Sequence, residues 1–170
     1  GDTREKDFDD VQKMGELLAV EVKRALAFVK DTVGVSTSFA TASRELQFRS
    51  RWKPEESLTL GVTSLLINSE IGIFTMPGEP FHLFQVDFRN KSGLKHAYLF
   101  GYCCDGPYAW PSYLPDLQSA ARGGYGASDT TQAEVGAGES LVNTGLVQLY
   151  SLQGRLKAAP QRHTFEKEPN

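Results

Sequence analysis

Ile71-Gly72-Ile73-Phe74-Thr75-Met76-Pro77-Gly78-Glu79-Pro80 is the stretch on which the fold turns. Ile71 to Met76 reads as a short buried strand, and the Pro77-Gly78 pair stops it. Glu79 and Pro80 suit a helix entrance. Proline is tolerated at the first helical position, and a carboxylate is favoured beside the unpaired N–H groups there. Phe81, Phe84 and Phe88 then recur at helical steps and form an apolar stripe. His96 to Cys104 is an almost unbroken apolar run, which predicts a central strand covered on both faces. Strand, helix and strand in that order make a βαβ unit, so the two strands are expected to run parallel with a right-handed crossover.

Upstream of this unit, Asp7 to Lys30 reads as a long helix. Val11, Met14, Leu18, Val22, Leu26 and Val29 form one stripe, with Asp7, Asp9 and Asp10 at the start and Lys30 near the end. The period then changes to two. Leu46, Phe48 and Trp52 alternate with Glu45, Gln47, Arg49 and Arg51, a half-buried strand. Lys53 to Glu56 is a turn, and Leu58, Leu60 and Val62 open a second strand antiparallel to the first. Asn68-Ser69-Glu70 marks the next turn.

Downstream, Asp105 to Ser128 holds no period and carries Pro107, Pro111, Pro115, Tyr108, Trp110, Tyr113 and Tyr125. Such an aromatic loop after a strand either lines a pocket or covers a sheet edge. Gln132 to Gln153 returns to helix, with Val135, Leu141, Val142, Leu146, Leu149 and Leu152 inward, and Gly154 to Asn170 is a polar tail. The expected architecture is therefore α/β: a mixed sheet of four to five strands with a βαβ unit, packed by long N- and C-terminal helices. It reads as one domain over residues 1–170, its ordered core spanning about 7–153.

The 170 residues carry a net charge of −3 and 23% charged side chains, with no basic footprint for nucleic acid. The densest basic cluster, Arg44 to Lys53, alternates with apolar residues as a strand with one wet face does. No apolar run approaches the length of a membrane span. Cys103 and Cys104 are adjacent, point to opposite faces of a strand and read as two buried thiols. No signal peptide is present, and Gly1 reads as a cloning remnant with a natural N-terminal part upstream.

Glu79 at a strand end is a candidate metal ligand, or equally a carboxylate that satisfies helix N–H groups. His82 and His96 lack ligand spacing to another His or Cys and read as structural, and His163 falls in the polar tail. There is no nucleophile elbow, phosphate loop or paired-cysteine motif.

Pro77-Gly78-Glu79, a hydrophobic strand, an aromatic loop and then Gly123-Gly124-Tyr125-Gly126-Ala127-Ser128 resemble, in that order, the second half of the catalytic domain of neutral ceramidases. Gly15-Glu16-Leu17-Leu18-Ala19 and Gly138-Glu139-Ser140-Leu141-Val142 are also similar to that family, so the likeness spans about residues 7–153. It implies that Glu79 and Tyr113 are zinc ligands and that Tyr125 contacts the substrate amide. Tyr113 and Tyr125 stand twelve apart, as the family's corresponding tyrosines do. Tyr108 and Trp110 then belong to substrate binding. The chain departs from the family in three places. Tyr108 precedes Tyr113 by five rather than three, Asp105 replaces an asparagine, and Gly126 replaces a glutamate.

The family's two zinc-binding histidines and nucleophilic serine lie upstream of this region. The resemblance thus implies the C-terminal module of a zinc amidohydrolase acting on a lipid amide, partnered by the upstream half of the same catalytic domain and inert alone. It also implies a secreted or periplasmic setting. The alternatives are a non-catalytic domain that keeps the fold, and an unrelated interaction domain.

Overall fold

The computed structural model describes residues 3–29, 36–103 and 108–158. The chain divides into two compact units, residues 1–36 and 37–170. The first is helix α1, Thr3–Leu26, which starts earlier than its acidic cluster suggests and ends short of Lys30, a residue outside the described set. Its stripe residues Val11, Met14, Leu18, Val22 and Leu26 are all exposed.

The second unit is built on strands β1 (Phe39–Arg49), β2 (Ser57–Ile67), β3 (Ile71–Thr75) and β5 (His96–Phe100), in the order β1-β2-β3-β5. The hairpins pair antiparallel, while β3 and β5 pair parallel across helix α2 (His82–Ser92), giving a mixed α/β sheet with the expected βαβ unit. Two further strands, β4 (Glu79–Pro80) and β6 (Tyr113–Leu114), form a separate parallel pair. Helices α3 (Leu117–Arg122) and α4 (Ala137–Leu152) complete the fold. Among the described residues no helix is long and apolar enough to cross a membrane.

Strict alternation in β2 sends Leu58, Leu60, Val62 and Leu66 to one face, where they meet Phe74, Met76, Phe84, Phe88, Leu141, Val142, Leu146 and Leu149. Helices α2 and α4 cover that face. The rings of Phe74 and Phe88 stack at 5.3 Å, tying β3 to α2. Burying an aromatic or leucine side chain of this kind contributes about 2 kcal/mol.

Four sequence expectations are corrected. His96 to Cys104 is not a central strand covered on both faces: β5 lies at the sheet edge, and Tyr98 and Phe100 are about half exposed. Its outward edge is occupied by a side chain, since Gln85 of α2 accepts from Leu99 N–H and donates to the Ala97 carbonyl. Glu79 does not enter a helix. The N–H groups of Glu79 and Phe81 are taken by the Ser112 and Leu114 carbonyls, so the chain stays extended through Phe81 and α2 starts at His82.

Helix α4 begins at Ala137 rather than Gln132, because Arg51 N–H donates to Gln132 and Glu134 N–H to Arg49, leaving Val135 exposed. Trp52 lies beyond β1 and is exposed, with the chain already turning. In the tail, Arg155 is anchored by the Ser92 carbonyl at 2.9 Å and by the Tyr150 ring at 4.1 Å. His163 and Cys104 lie outside the described residues.

Candidate functional site

Glu79 and Tyr113 are direct partners in the β4–β6 ladder. The turn that places them needs Gly78. Its φ is +71°, and a Cβ there would lie 2.3 Å from the Ser112 carbonyl oxygen. The end of β5 ties into the same turn, with Tyr102 N–H donating to the Gly78 carbonyl at 2.7 Å and Cys103 N–H to the Met76 carbonyl at 3.0 Å.

Tyr125 arrives from the other side. Asp116 caps α3, accepting from Gln118 N–H and Ser119 N–H at 3.0 Å each and from the Ser119 hydroxyl at 2.7 Å. Burial pushes the Asp116 carboxyl up, but the bonds from Ser119 and Gln118 outweigh it and hold it below the usual aspartate range. Glu139 of α4 accepts from Leu117 N–H at 2.7 Å, fixing α3 to the core helix. The chain then turns through Gly123 and Gly124, and the Tyr125 ring meets that of Tyr113 at 5.4 Å and 67°. The Phe81 ring also meets that of Tyr113, at 6.3 Å and 84°.

Two phenols, Tyr102 and Tyr113, flank the Glu79 carboxylate, and a third, Tyr125, hydrogen-bonds to Tyr113. The Tyr113 phenol is driven far above its ordinary value, first by hydrogen bonding to Tyr125 and then by hydrogen bonding to Glu79. Tyr102 is raised as well, chiefly by hydrogen bonding to Glu79. Beside them lies a pocket of about 300 Å³ bordered by Glu79, Phe81, Gln85, Leu99, Tyr102 and Tyr113. Its walls are mostly apolar, with one carboxylate and two phenols converging on it.

The structure thus brings Glu79, Tyr113 and Tyr125 together. Trp110 stands one layer back, its ring 5.6 Å from Tyr102. Tyr108 lies elsewhere, with its hydroxyl donating to Glu45 at 2.8 Å over β1. The residue that the sequence reading missed is Tyr102, which hydrogen-bonds to Glu79 and lines its pocket, while Tyr108 does neither. The Tyr102 φ of +59°, uncommon for a tyrosine, bends it out of the β5 line and toward the carboxylate. Gln85 was missed too, and an isolated glutamine on a helix carries no signal. His82 borders the pocket and is exposed, and His96 is exposed at the start of β5. Among the described residues, no three of His, Cys, Asp and Glu cluster as a metal site.

No family model, curated protein or solved structure matches this chain.

Proposed function

We propose that this chain contributes the oxygen donors and the oxyanion contact of a zinc amidohydrolase site for N-acyl amides of the ceramide type, completed by an upstream half of the same catalytic domain. The observation that carries the reading is the β4–β6 register. It sets a carboxylate, Glu79, directly beside a phenol, Tyr113, with a second phenol, Tyr125, in ring contact.

Glu79 and Tyr113 fit half of a four-coordinate zinc shell, as two oxygen donors side by side; catalytic zinc sites add nitrogen donors that these residues lack. Bound there, zinc would act as a Lewis acid that lowers the pKa of a coordinated water or hydroxyl. Within this chain the residues have distinct work. Glu79 accepts hydrogen bonds from the hydroxyls of Tyr102 and Tyr113. Tyr113 must release a proton to serve as a ligand, and its raised pKa keeps that proton in place in the chain alone. Tyr125 is 81% exposed, and its hydroxyl, hydrogen-bonded to Tyr113 in the chain alone, would turn toward a developing amide oxyanion. Phe81 and Leu99 supply an apolar wall for an acyl chain, with Trp110 behind Tyr102.

The sheet face opposite α2 and α4 supports the partner assignment. Phe39, Ile67, Ile71 and His96 form one row across it, and Thr41, Leu65, Ile73 and Tyr98 the next, a largely apolar surface on which the other half of such a domain would pack.

One observation favours a non-catalytic domain instead. Gly126 stands where the family has a glutamate. Its φ is +80° and a Cβ there would sit 3.2 Å from the rings of Phe81 and Tyr113, so a glutamate is poorly accommodated. A fluorogenic ceramide separates the readings. The 170-residue chain alone should be inert. The longer polypeptide carrying the upstream histidines and serine should turn over and lose activity with a chelator, with Glu79→Gln, and with Tyr113→Phe. Inactivity of that longer protein would decide for the non-catalytic domain.

A further inference from the structure

A second pocket, of about 640 Å³, opens on the sheet face opposite α2 and α4, and Tyr102 lines both it and the Glu79 pocket. Its floor is set by strand register, which places Ser43, Thr63 and Thr75 in one row across β1, β2 and β3. The Ser43 and Thr63 hydroxyls lie 2.8 Å apart and share one hydrogen bond, while the Thr75 hydroxyl donates to the Thr63 carbonyl at 3.2 Å. Each hydroxyl therefore keeps lone pairs facing the pocket.

Glu45 comes next along β1. Its Oε1 accepts from the Tyr108 hydroxyl, and Gly61 is its cross-strand partner. The Tyr108 ring lies directly over Gly61, where a Cβ would come within 2.7 Å of it. The result is a floor rich in acceptors, walled by the rings of Tyr102 and Tyr108.

That lining selects the chemistry of its ligand. Arg44 borders the pocket as well, but it pairs with Val62 and its side chain belongs to the other face, so the one carboxylate of the lining is Glu45, already engaged by the Tyr108 hydroxyl. An anion would meet the Glu45 carboxylate and a row of lone pairs. A neutral molecule with several O–H donors and a C–H face for the two tyrosines matches every part, and the volume is that of an ordinary small-molecule site. We propose that this pocket binds a neutral sugar, one or two pyranose rings in size, beside the Glu79 pocket and independently of its chemistry.

The test titrates the chain with methyl β-glucoside, with cellobiose and with 2-amino-1,3-propanediol, by calorimetry and by Trp110 fluorescence. The expected result is saturable millimolar binding of a glycoside. Thr63→Val and Glu45→Gln should each weaken it roughly five-fold, the loss of one hydrogen bond, and Glu79→Gln should leave it unmoved. Binding of the amino-diol in place of the sugars would overturn the proposal, as would no saturable binding of either. Sugar binding that depends on Glu79 and not on Thr63 or Glu45 would also overturn it, by moving the ligand to the other pocket.

Discussion

Tyr113 carries the most strongly held proton of the site, between the Tyr125 hydroxyl and the Glu79 carboxylate. Its folded pKa is raised above the unfolded value near 10, so the folded state binds more protons once the unfolded chain begins to ionise. The stability in question is intact below that unfolded value and is lost as pH rises toward the folded one. Melting followed from pH 8 to about 11 should show a steeper alkaline loss for the native protein than for Tyr113→Phe. Equal slopes would mean that the phenol is not held. Glu79, Tyr113 and Tyr125 were singled out together only through the resemblance, on Pro77-Gly78-Glu79 and the twelve-residue spacing of the two tyrosines, since the residues by themselves read as a helix entrance and an aperiodic loop. Tyr102 was not singled out. It sits inside an apolar run, and only its left-handed backbone, a product of the β5 and Gly78 contact, turns it toward Glu79.

Helix α3 spans six residues, too short to persist without its cap and its tie to Glu139. Asp116→Ala removes three bonds to Gln118 and Ser119 and should cost about 1–2 kcal/mol in thermal unfolding, while loosening the contact between Tyr125 and Tyr113. Because the Asp116 pKa is lowered, its contribution is present above the unfolded value of 3.8 and fades as pH falls through the folded one. The difference between the two proteins should therefore shrink in acid. A difference that is the same at pH 3 and pH 7 would contradict the role given to the charge. The sequence showed this segment only as an aperiodic loop, since two-residue strands and a six-residue helix leave no period to read. The same limit explains α4: its apolar spacing extends to Val135, but backbone pairing with Arg49 and Arg51 claims the residues before Gly136.

Every residue of the hydrophobic core comes from the second unit, between Ala40 and Leu152. A chain trimmed to residues 37–158 should melt within about 2 °C of the full one, and a larger drop would show that the core depends on the first unit. Amphipathic periodicity identified α1 correctly as a helix, yet it says nothing about what an apolar stripe will cover. Alternation in β1 and β2 and the βαβ order were enough to give the mixed sheet. They did not give the edge. An apolar run reads alike whether its neighbour is a strand or a single side chain.

That side chain has a consequence for behaviour in concentrated solution. A parallel edge strand with apolar Tyr98 and Phe100 beside open backbone groups is a template for joining a second molecule, and such joining ends in fibres or precipitate. By spending its own amide on Ala97 and Leu99, Gln85 acts as a one-residue stopper at the middle of that edge. Gln85→Ala should therefore do more than lower stability by about 1–2 kcal/mol. It should make the protein sticky, with light scattering and thioflavin signal rising with concentration while the native protein stays clear. A Gln85→Ala protein that is less stable but equally clear would mean that the edge is guarded by something else.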